Sequence, residues 1–344
     1  MPSPTRARAR FAKLSDEELL DLRLCDLGVA VEDGALGRNA ERLQGELEQA
    51  GLRFRPYLWL STDWFTPDGV TGFGIPFFLA HPRLARLERE QMFEVEGGTR
   101  DWCMKLLRHE TAHALDNAYR LRRRKAWREH FGRASAPYRD SYVPIPSSRR
   151  FVINLDHFYA QSHPVEDFAE TFAVWLRPGG RWQKRYARWP VALRKLRFVD
   201  DLMQEIRDRK PEVRTRERTD SLGTIRFTLR EYYARKRSMF SAEELTVYDR
   251  DLLRLFPGAP RRAGQRRAAA FLRAHRAELR ERIASWTGQY AFVVDEVLKG
   301  MILRAGALGL RVARPEREAL KDAVVMVTVH TVRHVRRRHR EYFR

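Results

Sequence analysis

The chain has 344 residues, 43% of them hydrophobic, and 66 lysines and arginines against 45 acidic residues give a formal net charge of +21. That length and apolar content exclude an intrinsically disordered polypeptide and are ample for one large or two modest domains. Two cysteines exclude a disulfide framework, and the lack of any apolar run of about eighteen residues excludes a helical membrane span.

The opening stretch, MPSPTRARARFAKLSDEELLDLRL, is basic but has no apolar h-region, so no secretory leader is expected. Together with the cysteine usage this predicts a cytoplasmic protein. Ser15 and Glu18 stand at capping-box spacing for a first helix. ERLQGELEQAG predicts a second helix ending at Gly51, a C′ glycine. Residues 52–61 predict an aromatic-rich strand, with Pro56 marking an edge or an irregularity. The TPDG turn at 66–69 follows, then a second strand over 71–80 interrupted by Pro76. HPRLARLERE predicts a short helix.

Residues 100–125 predict an apolar helix carrying His109-Glu110-Thr111-Ala112-His113, an HExxH pattern. Two histidines four apart lie on one helical face and can reach one zinc ion, with Glu110 beside them as a candidate general base. The bland alternative is a solvated His/Glu face. Cys103, on the same helix, reads as a small buried residue rather than a ligand. The loop from Ala134 to Arg150 is longer than typical connections and is expected to border the cleft. His130 and His157 read as structural or exposed. Then comes SHPVEDFAETFAVWL, with Pro164 in the first turn of a helix that ends at Arg177-Pro178-Gly179-Gly180. A catalytic zinc site needs a third protein ligand and an open position for water. Glu166, Asp167 and Glu170 all compete for the ligand role, and a carboxylate one turn along could hydrogen-bond the free N–H of a ligating histidine. If the cleft is catalytic, Gly72, Phe73, Gly74, Ile75 and Phe77 form a candidate edge for an extended peptide substrate. The alternative is an ordinary strand packed on the HExxH helix.

Beyond about residue 185 the pattern becomes long, basic and helical. AFLRAHRAELRERIASW and EALKDAVVMVTVHTVRHVRRRHREYF are the clearest segments, and Pro257-Gly258-Ala259-Pro260 divides the region. His330, His334 and His339 read as surface or interhelical residues. The terminal VRHVRRRHREYFR joins basic residues to Tyr342 and Phe343 and is the candidate for nonspecific nucleic-acid contact. The competing explanation for the charge is arginine spread over solvated faces. No fixed-period repeat, Walker A loop or dinucleotide fingerprint occurs.

HETAHALD followed by EDFAETF resembles the gluzincin arrangement, HExxH on one helix and Glu-x-x-x-Asp/Glu on the next, and is locally similar to the protease domain of anthrax lethal factor. HPVEDFAETFAVWL, with Trp59-Leu60-Ser61, Asp63-Trp64-Phe65 and the stretch from Gly74 to Leu84, is similar to a bacterial family of zinc-binding metallopeptidases over about residues 15–255. The resemblance implies Glu166 as the ligand and Glu170 as its supporting acid. It also places a tyrosine, Tyr159, where it steadies an oxyanion; beside Phe158 that residue also reads as aromatic core. Asp116 or Glu170 would orient the histidines. The chain departs from many members in lacking the cysteines of a zinc ribbon. The expectation is an α+β protein. Residues 1–50 form a helical segment, 51–185 a zincin-like core with a small mixed sheet, and 186–344 a basic helical region. The expected cofactor is one Zn²⁺ and the expected substrate a protein or peptide. The alternative is a nucleic-acid-associated or regulatory protein in which the zinc site is secondary.

Overall fold

The computed structural model describes residues 13–92, 95–138, 142, 145–238, 245–257 and 265–341; for 156, 157, 237, 238, 245 and 335–341 it describes the backbone alone. Among these residues the chain is mostly helical, with one small parallel sheet. In order, the elements are α1 (Asp16–Leu20), α2 (Gly34–Gln49), β1 (Tyr57–Ser61), β2 (Gly72–Pro76), α3 (Pro82–Met92), α4 (Arg100–Tyr119), α5 (Lys125–Phe131), α6 (Pro164–Leu176), α7 (Trp182–Arg185), α8 (Pro190–Ile206), α9 (Leu229–Ser238), α10 (Asp249–Leu255), α11 (Ala268–Ala274), α12 (Arg276–Thr287), α13 (Ala291–Ala307) and α14 (Glu316–Glu341). No helix among the described residues is long and apolar enough to cross a membrane.

Contacts divide the chain into two compact units, Met1–Arg89 with Val95–Glu231, and Glu90–Glu94 with Tyr232–Arg344. The boundary read from sequence at 185 therefore falls inside the first unit, to which residues 1–50 also belong. The reason is packing: α8 lies against α6, and the segment after it returns to the sheet. There the Thr215 carbonyl accepts from Thr71 N, and the Thr219 and Asp220 carbonyls accept from the Trp59 indole and the Ser61 hydroxyl.

In the first unit, α1 starts with the expected capping box: Ser15 Oγ accepts from Glu18 N, and Glu18 accepts from Ser15 N. Gly51 takes a φ of +77° after α2 and ends it as a left-handed glycine should. The sheet is a parallel pair in the register Tyr57↔Gly72 to Ser61↔Pro76 rather than a mixed sheet, with one isolated antiparallel bridge, Phe65↔Gly74. Gly72 permits the close approach, because a Cβ there would fall 2.0 Å from the Tyr57 carbonyl oxygen. A 3-10 turn (Phe77–Ala80) replaces the end of the expected strand.

The apolar core is formed where α4 packs on α6, α2 and β2. Thr99 caps α4 by accepting from Trp102 N, and Arg120, at φ 50°, stops it in the left-handed region. Arg108 reaches from α4 to Glu46 on α2 in a buried two-bonded ion pair at 2.7 and 2.8 Å. Such a pair fixes how the two helices sit more than it adds stability. His163 caps α6, and Pro164 occupies its first turn.

The second unit is helical, with a core built on Phe256, Phe271, Leu272, Leu279, Val294, Leu298, Met301 and Val327. The segment expected as one helix over 270–286 is two, α11 and α12, broken at His275 (φ −96°, ψ 6°). His330 is buried on α14 and bonds Asp251 at 2.8 Å, the interhelical role read from the sequence. Of the terminal basic cluster, Arg333 is exposed and His334 buried, while the side chains from residue 335 on, His339, Tyr342 and Phe343 included, lie outside the described residues, as does the Gly258-Ala259-Pro260 divide.

Candidate metal centre

The HExxH residues occupy the middle of α4, where the helix is buried on nearly every side. One turn separates His109 from His113, and their rings stand edge to face with centroids 4.8 Å apart. Glu166, in the first turn of α6, meets both. Its Oε2 lies 3.0 Å from His109 Nε2 and 3.4 Å from His113 Nε2, and the two Nε2 atoms are 3.0 Å apart. The three residues form the metal-competent cluster found among the described residues. A tetrahedral ion with bonds of 2.0–2.2 Å has ligand–ligand edges of about 3.3–3.6 Å, within a few tenths of these separations. The donor set fits a divalent cation of zinc's character, two imidazoles and one carboxylate.

The structure also separates the competing carboxylates. Glu170, one turn beyond Glu166 and fully buried, faces the other nitrogen of His109, with Oε1 2.9 Å from Nδ1. It further accepts from Asn154 Nδ2 and Leu155 N, both at 2.8 Å. Every partner of Glu170 is thus a donor, which puts the His109 proton on Nδ1 and turns the Nε2 lone pair toward the cluster. Asp167 points elsewhere, to the buried ammonium of Lys195 on α8. Burial, partly offset by Lys195, pushes its pKa up to about 7.

The electrostatics favour a positive charge at the centre. Burial opposes charging His109, but the Glu166 and Glu170 carboxylates outweigh it and hold its pKa well above the usual imidazole value. Burial likewise works against ionised Glu166, yet His113 and His109 keep its pKa well below the usual carboxylate range. A proton on His109 or a metal ion satisfies the same demand.

No family model, curated protein or solved structure matches this chain. The resemblance to zinc-binding metallopeptidases accordingly rests on the motifs alone.

The remaining expected residues divide. Glu110 is buried, and its Oε2 accepts from Thr66 Oγ1 at 2.8 Å. Tyr159 sits on a 3-10 turn (Asp156–Gln161) with its ring 5.7 Å from that of His109. Burial and the Glu166 charge raise its phenol pKa far above normal, so it stays a donor. The residue before it, Phe158, holds a φ of 56°, a left-handed conformation that costs a bulky side chain about 1–3 kcal/mol. Asp116 does not orient a histidine. Its two oxygens accept from Arg122 N and Nε, at 2.7 and 2.6 Å, and so anchor the turn after α4.

The substrate-edge reading of Gly72, Phe73, Gly74, Ile75 and Phe77 is corrected. All five are buried, β1 covers one side of the strand, and Phe65 O accepts from Gly74 N on the other at 2.9 Å. An extended peptide would have to displace those partners, so this is a packing strand. Cys103 is buried, and burial raises its thiol to about 11, which fits the inert role expected. His130 stacks on Phe198 at 4.2 Å and is structural; the His157 side chain lies outside the described residues.

Sequence reasoning passed over Thr66, Asn154 and Tyr138. Thr66 lay in a segment read only as a turn. Tyr138 lies in the loop expected to border the cleft, and its hydroxyl donates to Glu166 Oε1 at 2.8 Å. Nothing in the local pattern distinguishes it from the other tyrosine of that loop, Tyr142.

Proposed function

We propose that this chain is a zinc-dependent metallopeptidase with a zincin-like catalytic unit, in which His109, His113 and Glu166 hold the metal. The observation that carries the reading is the convergence of three ligand atoms within 3.0–3.4 Å of one another, from buried His109 and Glu166 and partly buried His113, with Glu110 on the same helix as the histidines. Bound there, zinc supplies Lewis acidity, lowering the pKa of a water to about 7 and polarising a carbonyl oxygen.

The chain's own groups do the rest. Glu110, held by the Thr66 hydroxyl, accepts the proton of the attacking water on its carboxylate and returns it to the leaving amine. Tyr159, kept protonated, donates to the oxyanion that develops on the substrate carbonyl. Glu170 holds the His109 ring in one orientation and one tautomer. The substrate class is a protein or peptide.

Two measurements test this. Elemental mass spectrometry should find one zinc per wild-type chain and none in Glu166→Ala. A fluorogenic peptide library should be cleaved by wild type and spared by Glu110→Gln. A folded wild-type chain that takes up no zinc removes the proposal; a zinc-loaded chain inert on peptides leaves the metal site and removes the peptidase.

A further inference from the structure

We propose that Tyr138 is a positioning residue for the third ligand: its phenol occupies one oxygen of Glu166 so that only the other is presented to the metal. The inference rests on the metal reading above.

The two oxygens of Glu166 have separate partners. Oε2 faces the two Nε2 atoms at 3.0 and 3.4 Å, while Oε1 accepts from the Tyr138 hydroxyl at 2.8 Å. A carboxylate bound to zinc through both oxygens would fill the position that a catalytic site leaves open for water. A donor on Oε1 competes with that second bond, so it controls coordination number as well as affinity.

Tyr138 is itself held by the cap of the helix that carries Glu166. His163 Nδ1 accepts from Val165 N at 3.2 Å, which leaves the imidazole proton on Nε2. Nε2 then donates to the Ala136 carbonyl at 2.8 Å and pins the loop two residues before Tyr138. The Tyr138 ring lies on the His163 ring, centroids 3.8 Å apart and planes 13° from parallel. Helix cap, loop backbone, stacked ring and phenol thus form one closed circuit ending on the ligand. Core packing does not account for it, because Tyr138 is 61% exposed. Its hydroxyl nonetheless turns inward to the buried Glu166 carboxylate, in a partly buried bond. On a metal-ligating carboxylate the same bond sets geometry.

The test compares wild type with Tyr138→Phe, which keeps the stacked ring and removes only the hydroxyl. Zinc affinity is measured by competition with a chromogenic chelator, and coordination by the visible bands of the Co²⁺-loaded chain. The expected result is an affinity lower by about 10–100-fold, the usual cost of losing a group that supports a ligand. The Co²⁺ bands should weaken as the site moves from four-coordinate toward five, and the thermal midpoint of the metal-free chain should stay at the wild-type value. Wild-type affinity and bands in Tyr138→Phe overturn the inference while leaving the metal site standing. X-ray absorption on zinc-loaded wild type gives a check that does not depend on the variant. A single carboxylate oxygen at bonding distance is expected, and two overturn the inference. A wild-type chain that binds neither metal removes the metal reading and this inference with it.

Discussion

Replacing Glu170 with glutamine probes the centre with the least change in shape. Glu170 Oε1 accepts from His109 Nδ1 at 2.9 Å and Asn154 Nδ2 at 2.8 Å, and Oε2 accepts from Leu155 N at 2.8 Å. Glutamine has one acceptor oxygen and one NH₂. With the oxygen at the Oε1 position the first two bonds survive with a neutral acceptor, and the NH₂ then meets the Leu155 N–H, donor against donor. One charge-assisted bond in a fully buried place is lost, worth about 1.5–3 kcal/mol. The metal-free chain should therefore lose about 2 kcal/mol in urea unfolding with an unchanged m-value. Zinc affinity should fall separately, because His109 loses the anion that raises its basicity; the usual effect is about 10–100-fold, or about 1.4–2.8 kcal/mol. Chelator competition reads the affinity and circular dichroism the unfolding. If Glu170→Gln unfolds early yet binds zinc as tightly as wild type, Glu170 is a structural acceptor only, and the tautomer argument for His109 fails.

Glu166→Ala should abolish zinc binding outright, whereas Glu170→Ala should only weaken it; the reverse ranking by elemental analysis would show the ligand assignment to be wrong. Glu110→Gln should keep zinc at the wild-type ratio while peptide turnover falls by several orders of magnitude, measured on the best library substrate. The pH dependence has a definite sign. The folded pKa of His109 is raised above 6.5, so its contribution to metal-free stability is fully present below pH 6.5 and is lost as pH climbs through the raised value. Zinc must displace that proton, so apparent affinity should rise about tenfold per pH unit across this window and then level off; a flat profile by competition titration contradicts a protonated His109. Asp167→Asn leaves the Lys195 ammonium buried with the Arg150 carbonyl and the Phe151 ring, and urea unfolding should show a loss of about 3–5 kcal/mol without loss of zinc.

What the sequence displayed and what it hid follow from range. His109, Glu110 and His113 are legible because ligand spacing on one helix is fixed by 3.6 residues per turn, and the same holds for Glu166 and Glu170 on α6. Spacing alone cannot say which acid of Glu166, Asp167 and Glu170 meets the metal, because that depends on how α6 is rotated against α4. The rotation is set by groups distant in sequence: Lys195 draws Asp167 to one side, while Asn154 and Leu155 hold Glu170 on the other. Thr66 reaches Glu110 across 44 residues and Tyr138 reaches Glu166 across 28, with no periodicity to announce either. The strand over 72–76 misled for a related reason. Pro76 signalled an edge by its missing donor, but an edge can be covered, and here Phe65 takes the Gly74 N–H. Asp116 misled because its nearest cation in three dimensions, Arg122, lies just past a left-handed helix end at Arg120 that the apolar pattern did not reveal.

The contacts around the centre share a direction. Thr66 holds Glu110, Glu170 holds His109, and Tyr138 holds Glu166, so each of these groups at the centre has one neighbour that fixes its rotamer. A carboxylate and an imidazole left free would relax toward each other as an ordinary buried ion pair, and His109 between Glu166 and Glu170 already has that option. The fixed rotamers set this cluster apart, because they keep the Glu166 Oε2, His109 Nε2 and His113 Nε2 atoms converging instead of letting each find its own partner. A site that served only to hold two helices together would have no use for Thr66 on Glu110, which bonds neither histidine. That bond is intelligible if the carboxylate of Glu110 must stand ready beside the metal rather than on it.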